Sequence, residues 1–146
     1  MFREHGDANV YPSKARHGET FIWGENDHLF ERLTSIRRFV ERTLPQIAAS
    51  TTTWLIPPDA TGLRGTAVWT QTPIGDATFV FAVNYDLDHP SGYFGVPMLD
   101  PAVQLVEVFS TVRGDVDDAT AITSNGFFHR IDDLGPGEGI AYRIVR

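Results

Sequence analysis

The chain contains no cysteine. Disulfides, thiolate catalysis and cysteine-ligated zinc or iron–sulfur centres are therefore excluded, and an intracellular setting is permitted. Long hydrophobic runs are missing as well. The longest, Phe79-Val80-Phe81-Ala82-Val83, has five residues, against the roughly 20 that a membrane helix needs. The start, Met1-Phe2-Arg3-Glu4-His5-Gly6-Asp7, holds no apolar stretch of signal-peptide length. The expectation is a soluble, untargeted, cytoplasmic protein without a membrane partner. Basic charge is scarce: 12 Lys/Arg stand against 19 Asp/Glu, for a net charge of −7. Residues 1–50 balance at seven each, so the whole deficit falls on residues 51–146, with five basic and twelve acidic side chains. An acidic surface repels phosphate backbones, which argues against a nucleic-acid partner.

What is present is a 146-residue chain, long enough to bury a sizeable core as one domain or one domain plus an appendage. Residues 1–25 carry Gly6, Pro12, Gly18 and Gly24 without sustained periodicity and read as irregular, with a short extended piece at Thr20-Phe21-Ile22-Trp23. Asn26 or Asp27 caps a helix that runs to about Leu44, where Pro45 ends it. Leu29, Phe30, Leu33, Ile36, Val40 and Leu44 share one apolar stripe, with Phe39 just outside it. Beyond Ser50 the pattern changes to strands, expected over 51–56, 65–71, 78–84, 103–112, 120–123, 126–131 and 139–145. The run at 79–83, bounded by turns, reads as a strand buried on both faces and hence central to a layered domain. Strands 65–71 and 78–84 read as a hairpin, and 86–100 as a long loop. Two segments follow: 1–50, a loop plus an amphipathic helix, and 51–146, an antiparallel β-sandwich of about seven strands. The fold class is mainly β.

Local chemistry is thin. No two of His5, His17, His28, His89 and His129 stand at ligand spacing for zinc. Asp86 and Asp88 are weak calcium candidates, since Pro90 falls where an EF-hand loop needs its third ligand; Asp115, Asp117 and Asp118 read as an acidic turn. Gly135-Pro136-Gly137-Glu138-Gly139 lacks the lysine of a phosphate loop and precedes a strand, so it reads as a turn. No Gly-x-Ser-x-Gly is present, and nothing requires a cofactor. Tyr93-Phe94, set between Gly92 and Gly95, is the aromatic pair least easily assigned to the core. With Asn84 at the end of the central strand, it is the candidate for contact with a ligand, a sugar ring among them, or with another domain.

Several of these stretches, taken together, resemble a known family. Leu29-x-x-x-Leu33-x-x-Ile36-Arg37-Arg38 leads to Leu44-Pro45. Trp54-Leu55, Ala67-Val68-Trp69, Phe79-Val80-Phe81-Ala82-Val83-Asn84, Val96-Pro97 and Val106-Glu107-Val108-Phe109 follow, and Leu134-Gly135-Pro136-Gly137-Glu138-Gly139-Ile140-Ala141-Tyr142-Arg143 closes the series. The pattern resembles the last barrel helix and C-terminal β-sandwich of α-amylase family glycoside hydrolases. That resemblance implies a catalytic barrel as partner of the helix face, an α-glucan as the ligand class, and catalytic carboxylates upstream. None of the family's Asp-x-x-Arg-x-Asp or Asn-His-Asp motifs occurs here, so no catalytic residue is carried over. The alternatives are a free-standing carbohydrate-binding sandwich and an oligomerisation or interaction domain that self-associates through the helix.

Overall fold

The computed structural model describes residues 27–47, 51–58, 65–71 and 77–146, with helix side chains described over 32–43. The expectations for residues 1–25, the boundary at Ser50 and the turn at 72–76 lie outside the described residues. One helix and nine strands are described: α1 (Asp27–Ile47), β1 (Thr53–Ile56), β2 (Thr66–Thr70), β3 (Phe79–Asn84), β4 (Phe94–Val96), β5 (Gln104–Ser110), β6 (Gly114–Asp115), β7 (Ile122–Thr123), β8 (His129–Ile131) and β9 (Gly139–Val145). The architecture is mainly β, as expected, with a seven-stranded and a two-stranded antiparallel sheet. The helix runs past Pro45 to Ile47 instead of stopping at Leu44. A proline this near the end forfeits one intrahelical donor, and only its last two residues depend on the helix continuing. β4 lies inside the expected loop; three residues centred on Gly95 and followed by Pro97 carry too little strand signal to be read in advance.

The large sheet has the order β1-β2-β3-β9-β5-β6, with β7 also on β5. The expected hairpin is present: β2 and β3 pair antiparallel from Thr66↔Asn84 to Thr70↔Val80. β3 is central; its Val80/Ala82 face is buried, and on the other face Phe79 is buried while Phe81 and Val83 are half-buried. Val80 and Ala82 face the small β4–β8 sheet, in one core cluster with Phe94, Val96, Leu105, Ile131, Ile140 and Tyr142. On the opposite face the registers align one row across five strands: Trp54↔Trp69, Trp69↔Phe81, Phe81↔Ala141 and Ala141↔Phe109. Trp69 stacks on Phe81 at 5.6 Å. Small Ala141 leaves a notch in this aromatic row, and Phe39 of α1 fills it, stacked on Phe109 at 4.5 Å and edge-on to Phe79 at 6.4 Å.

The helix is thus docked on its own sheet. Its deepest contact is Phe39, the residue expected just outside the stripe, and Ile36 packs beside it. Thr43 is buried on the same side, its hydroxyl donating to the Phe39 carbonyl at 2.9 Å. Arg42 forms a two-pronged pair with Asp115 of β6 at 2.5 and 3.1 Å; both partners are exposed, so the pair orients more than it stabilises. Leu33 and Val40 stay exposed.

Candidate functional site

A β-bulge in β5 shapes one wall of a cleft. Strict alternation along β5 would put Glu107 and Phe109 on one face. Its pairing with β9 instead shifts register between Glu107 and Phe109, opposite Tyr142 and Ala141. An extra residue turns the following side chains over. Phe109 therefore meets α1, with Val108 packed in the same cluster, while Glu107 stays on the inner face beside Tyr142. The short β4–β8 sheet leaves this end uncovered, and a cleft of about 730 Å³ opens there.

The cleft wall is held by a chain of hydrogen bonds. Gly135-Pro136-Gly137-Glu138 forms a type II turn, with the Glu138 amide donating to Gly135 O at 3.0 Å and Gly137 at φ 67°. Glu138 closes that turn a second time: its Oε2 accepts the Gly135 amide at 2.9 Å, and its Oε1 accepts the Ser110 hydroxyl at 2.7 Å. Ser110 Oγ in turn accepts the amides of Val112 and Arg113. Arg113 reaches both carboxylates, 2.7 Å from Glu107 Oε1 and 3.5 Å from Glu138 Oε1. The contact to Glu107 is oblique, and Oε1 accepts no in-line hydrogen bond. Burial pushes the Glu107 carboxyl above the usual range against the pull of Arg113, and the Glu138 charge adds to the rise. Burial, with Glu107 beside it, holds the Tyr142 phenol far above its ordinary range, so it stays protonated.

The residues singled out in the sequence do not assemble into one site. Asn84 is fully buried, with Nδ2 donating to the carbonyls of His89 (2.8 Å), Gly135 (3.1 Å) and Leu134 (3.3 Å) and Oδ1 accepting the Asp86 amide. It ties two loops together and presents nothing to a sugar. Phe94 points into the core between the sheets. Only Tyr93, its neighbour on the opposite face of the strand, is outward, 70% exposed with the Arg130 guanidinium 4.3 Å over its ring. Phe128 lies flat on Gly95, where an added Cβ would come within 2.6 Å of the ring; Phe127 is exposed next to it.

Asp86 turns its carboxylate onto its own loop, accepting the amides of Asp88 and His89 at 2.9 and 3.1 Å. Asp88 is exposed, and its amide, not its carboxylate, is what meets Asp86. No group of three or more side chains suited to a metal is found among the described residues. Of the helix stripe, Ile36 meets the sheet and Leu33 and Val40 face outward; the side chains of Leu29, Phe30 and Leu44 lie outside the described residues. No described helix is long and apolar enough to cross a membrane.

No known protein family matches the chain, and no curated protein does. Glu107, Arg113, Glu138 and Tyr142 were not singled out in the sequence. One signal for them was there: Glu107 interrupts the apolar series Val103, Leu105, Phe109, and a carboxylate on an inward strand position is costly unless it faces a cavity or a partner.

Proposed function

We propose that this chain is the non-catalytic C-terminal β-sandwich region of an α-amylase-like glycoside hydrolase or transglycosidase, packed on a catalytic barrel. The observation that supports this most is the surplus apolar arc on α1. At roughly 100° per residue, Phe39, Thr43 and Ile36 fall within about 60° and face the sheet. Val40 and Leu33 lie a further ~40–60° round the helix and are 42% and 48% exposed. A helix with one side on its own sheet and an apolar flank turned outward suits a second layer. Trp54, at the end of the aromatic row remote from α1, is exposed on the same outer face and extends that surface. The motifs quoted above and the sandwich agree with this role, and a cytoplasmic location goes with it.

In this reading the chain releases no reducing sugar from starch, sucrose or trehalose; release by purified protein overturns it. Sequencing of the coding region upstream of Met1 is the sharper test. An in-frame barrel bearing the family's carboxylates is the expected result, and an in-frame stop codon would refute it. On the isolated chain the uncovered flank should drive self-association, visible by light scattering at tens of micromolar and lost in Leu33→Asp/Val40→Asp. A monomer at every concentration removes the helix-flank argument.

A second reading, a free-standing carbohydrate-binding module, is favoured by Tyr93 and Phe128 lying on the outer face of the β4–β8 sheet, Tyr93 under Arg130 and Phe128 over Gly95. Rings held flat offer an open face to a pyranose at little entropic cost. Maltooligosaccharides that perturb Tyr93 and Phe128 resonances at millimolar concentration would support it; unperturbed spectra would dismiss it.

A further inference from the structure

The cleft leaves hydrogen-bonding capacity unfilled in two adjacent side chains. Tyr142 is only 3% exposed and lines the cleft, yet its hydroxyl has no hydrogen-bond partner among the described residues. Unlike Glu107 Oε1, this oxygen is not sealed from solvent, so it opens into the cleft with its hydrogen-bonding capacity available. Glu107, opposite it in the β5–β9 register, has only the oblique contact of Oε1 with Arg113, and its Oε2 has no protein partner among the described residues. Glu138 differs: each of its oxygens already accepts a hydrogen bond, from Ser110 and from the Gly135 amide, so it is held in the wall and contributes mainly charge.

The cleft's charge indicates what would fill that capacity. Asp118, Asp132 and Asp133 join Glu107 and Glu138 along its lining, five carboxylates against the guanidinium of Arg113 within the cleft; Arg130 pairs with Asp132 from outside it at 3.5 Å, and Asp133 accepts the Gly92 amide, which still leaves the cleft net acidic. An anion is repelled from such a site, and a cation is concentrated in it. An inorganic ion is a poor match, since no set of three or more metal-ligating side chains is found among the described residues. The volume, about 730 Å³, is within the range of small-molecule sites and far larger than one ammonium group. An ammonium carries three donors and no acceptor, the complement of a carboxylate oxygen and a phenol oxygen that line the same cleft.

We propose that this cleft binds an aliphatic polyamine, one ammonium donating to Glu107 Oε2 and Tyr142 Oη and the other lying among Asp118 and Asp132. The proposal is independent of the function proposed above. Isothermal titration of the whole chain with 1,4-diaminobutane and with spermidine, at low salt in an amine-free buffer, tests it. Saturable one-to-one binding is expected, weakened about tenfold by Tyr142→Phe, which removes one hydrogen bond, and weakened further by Glu107→Gln. Asp118→Asn, on the cleft lining, should lower affinity for spermidine and provides a variant should Glu107→Gln fail to fold. Absence of saturation in the millimolar range, unchanged affinity in Tyr142→Phe, or saturation by maltose or calcium where the amines fail, each overturns the proposal.

Discussion

Asn84→Ala isolates the claim that the end of the central strand is a structural clamp and not a ligand contact. The two Nδ2 hydrogens serve three carbonyls at 2.8, 3.1 and 3.3 Å, and Oδ1 accepts one amide at 3.1 Å, so about three hydrogen bonds are lost. Two of the carbonyls keep another donor, Leu134 O from Ser91 at 2.9 Å and Gly135 O from Glu138 at 3.0 Å. The loss is therefore nearer the net value of a hydrogen bond, about 1 kcal/mol each, than the full penalty for orphaned groups, and totals about 3 kcal/mol. With a urea m-value of about 2 kcal/mol/M, the unfolding midpoint should fall by about 1.5 M at constant m.

Asn84→Asp should be worse at neutral pH, because it replaces two donors by a buried carboxylate facing three carbonyl oxygens. Burial raises that carboxyl's folded pKa, so its penalty should grow as pH rises above the usual carboxylate value of about 4. Tryptophan fluorescence during urea titration measures both variants. An Asn84→Ala protein within about 0.5 kcal/mol of wild type, the range of ordinary surface changes, refutes the clamp.

Two further perturbations test the helix and the acidic loop. Phe39→Ala should cost about 3–5 kcal/mol, as for a large buried aromatic, and strip hydrogen-exchange protection from α1 while β4 and β8 keep theirs; unchanged α1 protection would mean the helix docks by other contacts. The Asp86 carboxyl is held below its usual range, first by the Asp88 amide and then by the His89 amide and ring. A depressed folded pKa contributes stability above the unfolded value of about 3.9 that is lost as pH falls through the folded one. Asp86→Asn keeps an acceptor for the loop amides without that titration, so its stability should fall less steeply below pH 4 in acid denaturation; identical acid limbs contradict this.

The parts of the fold that follow from periodicity were legible in advance. β3 was placed from one apolar run bounded by turns, β9 was expected over the same residues it occupies, and the 135–138 turn follows from Pro and Gly at the two positions that a type II turn favours. What escaped were features without a local signature. β4 and β6 are three and two residues long and exist only through their partners. Tyr93 and Phe94 looked equivalent because both sit between glycines, but a strand sends neighbours to opposite faces, and only pairing with β8 decides which is buried.

Read alone, the residues specify an acidic, mainly β chain with one amphipathic helix, because charge, hydrophobic period and turn chemistry are local properties. The cleft belongs to the tertiary structure. The bulge in β5 moves Phe109 to the helix side and leaves Glu107 beside Tyr142, and that bulge arises from pairing with a strand that begins 29 residues after β5 ends, at Gly139. Helix docking has the same origin. The stripe of α1 shows that it must bury a face, but the notch at Ala141, flanked in the sheet by Phe81 and Phe109, selects Phe39 over Leu33 and Val40. Side-chain volume on a distant strand made that choice, and no spacing within the helix encodes it.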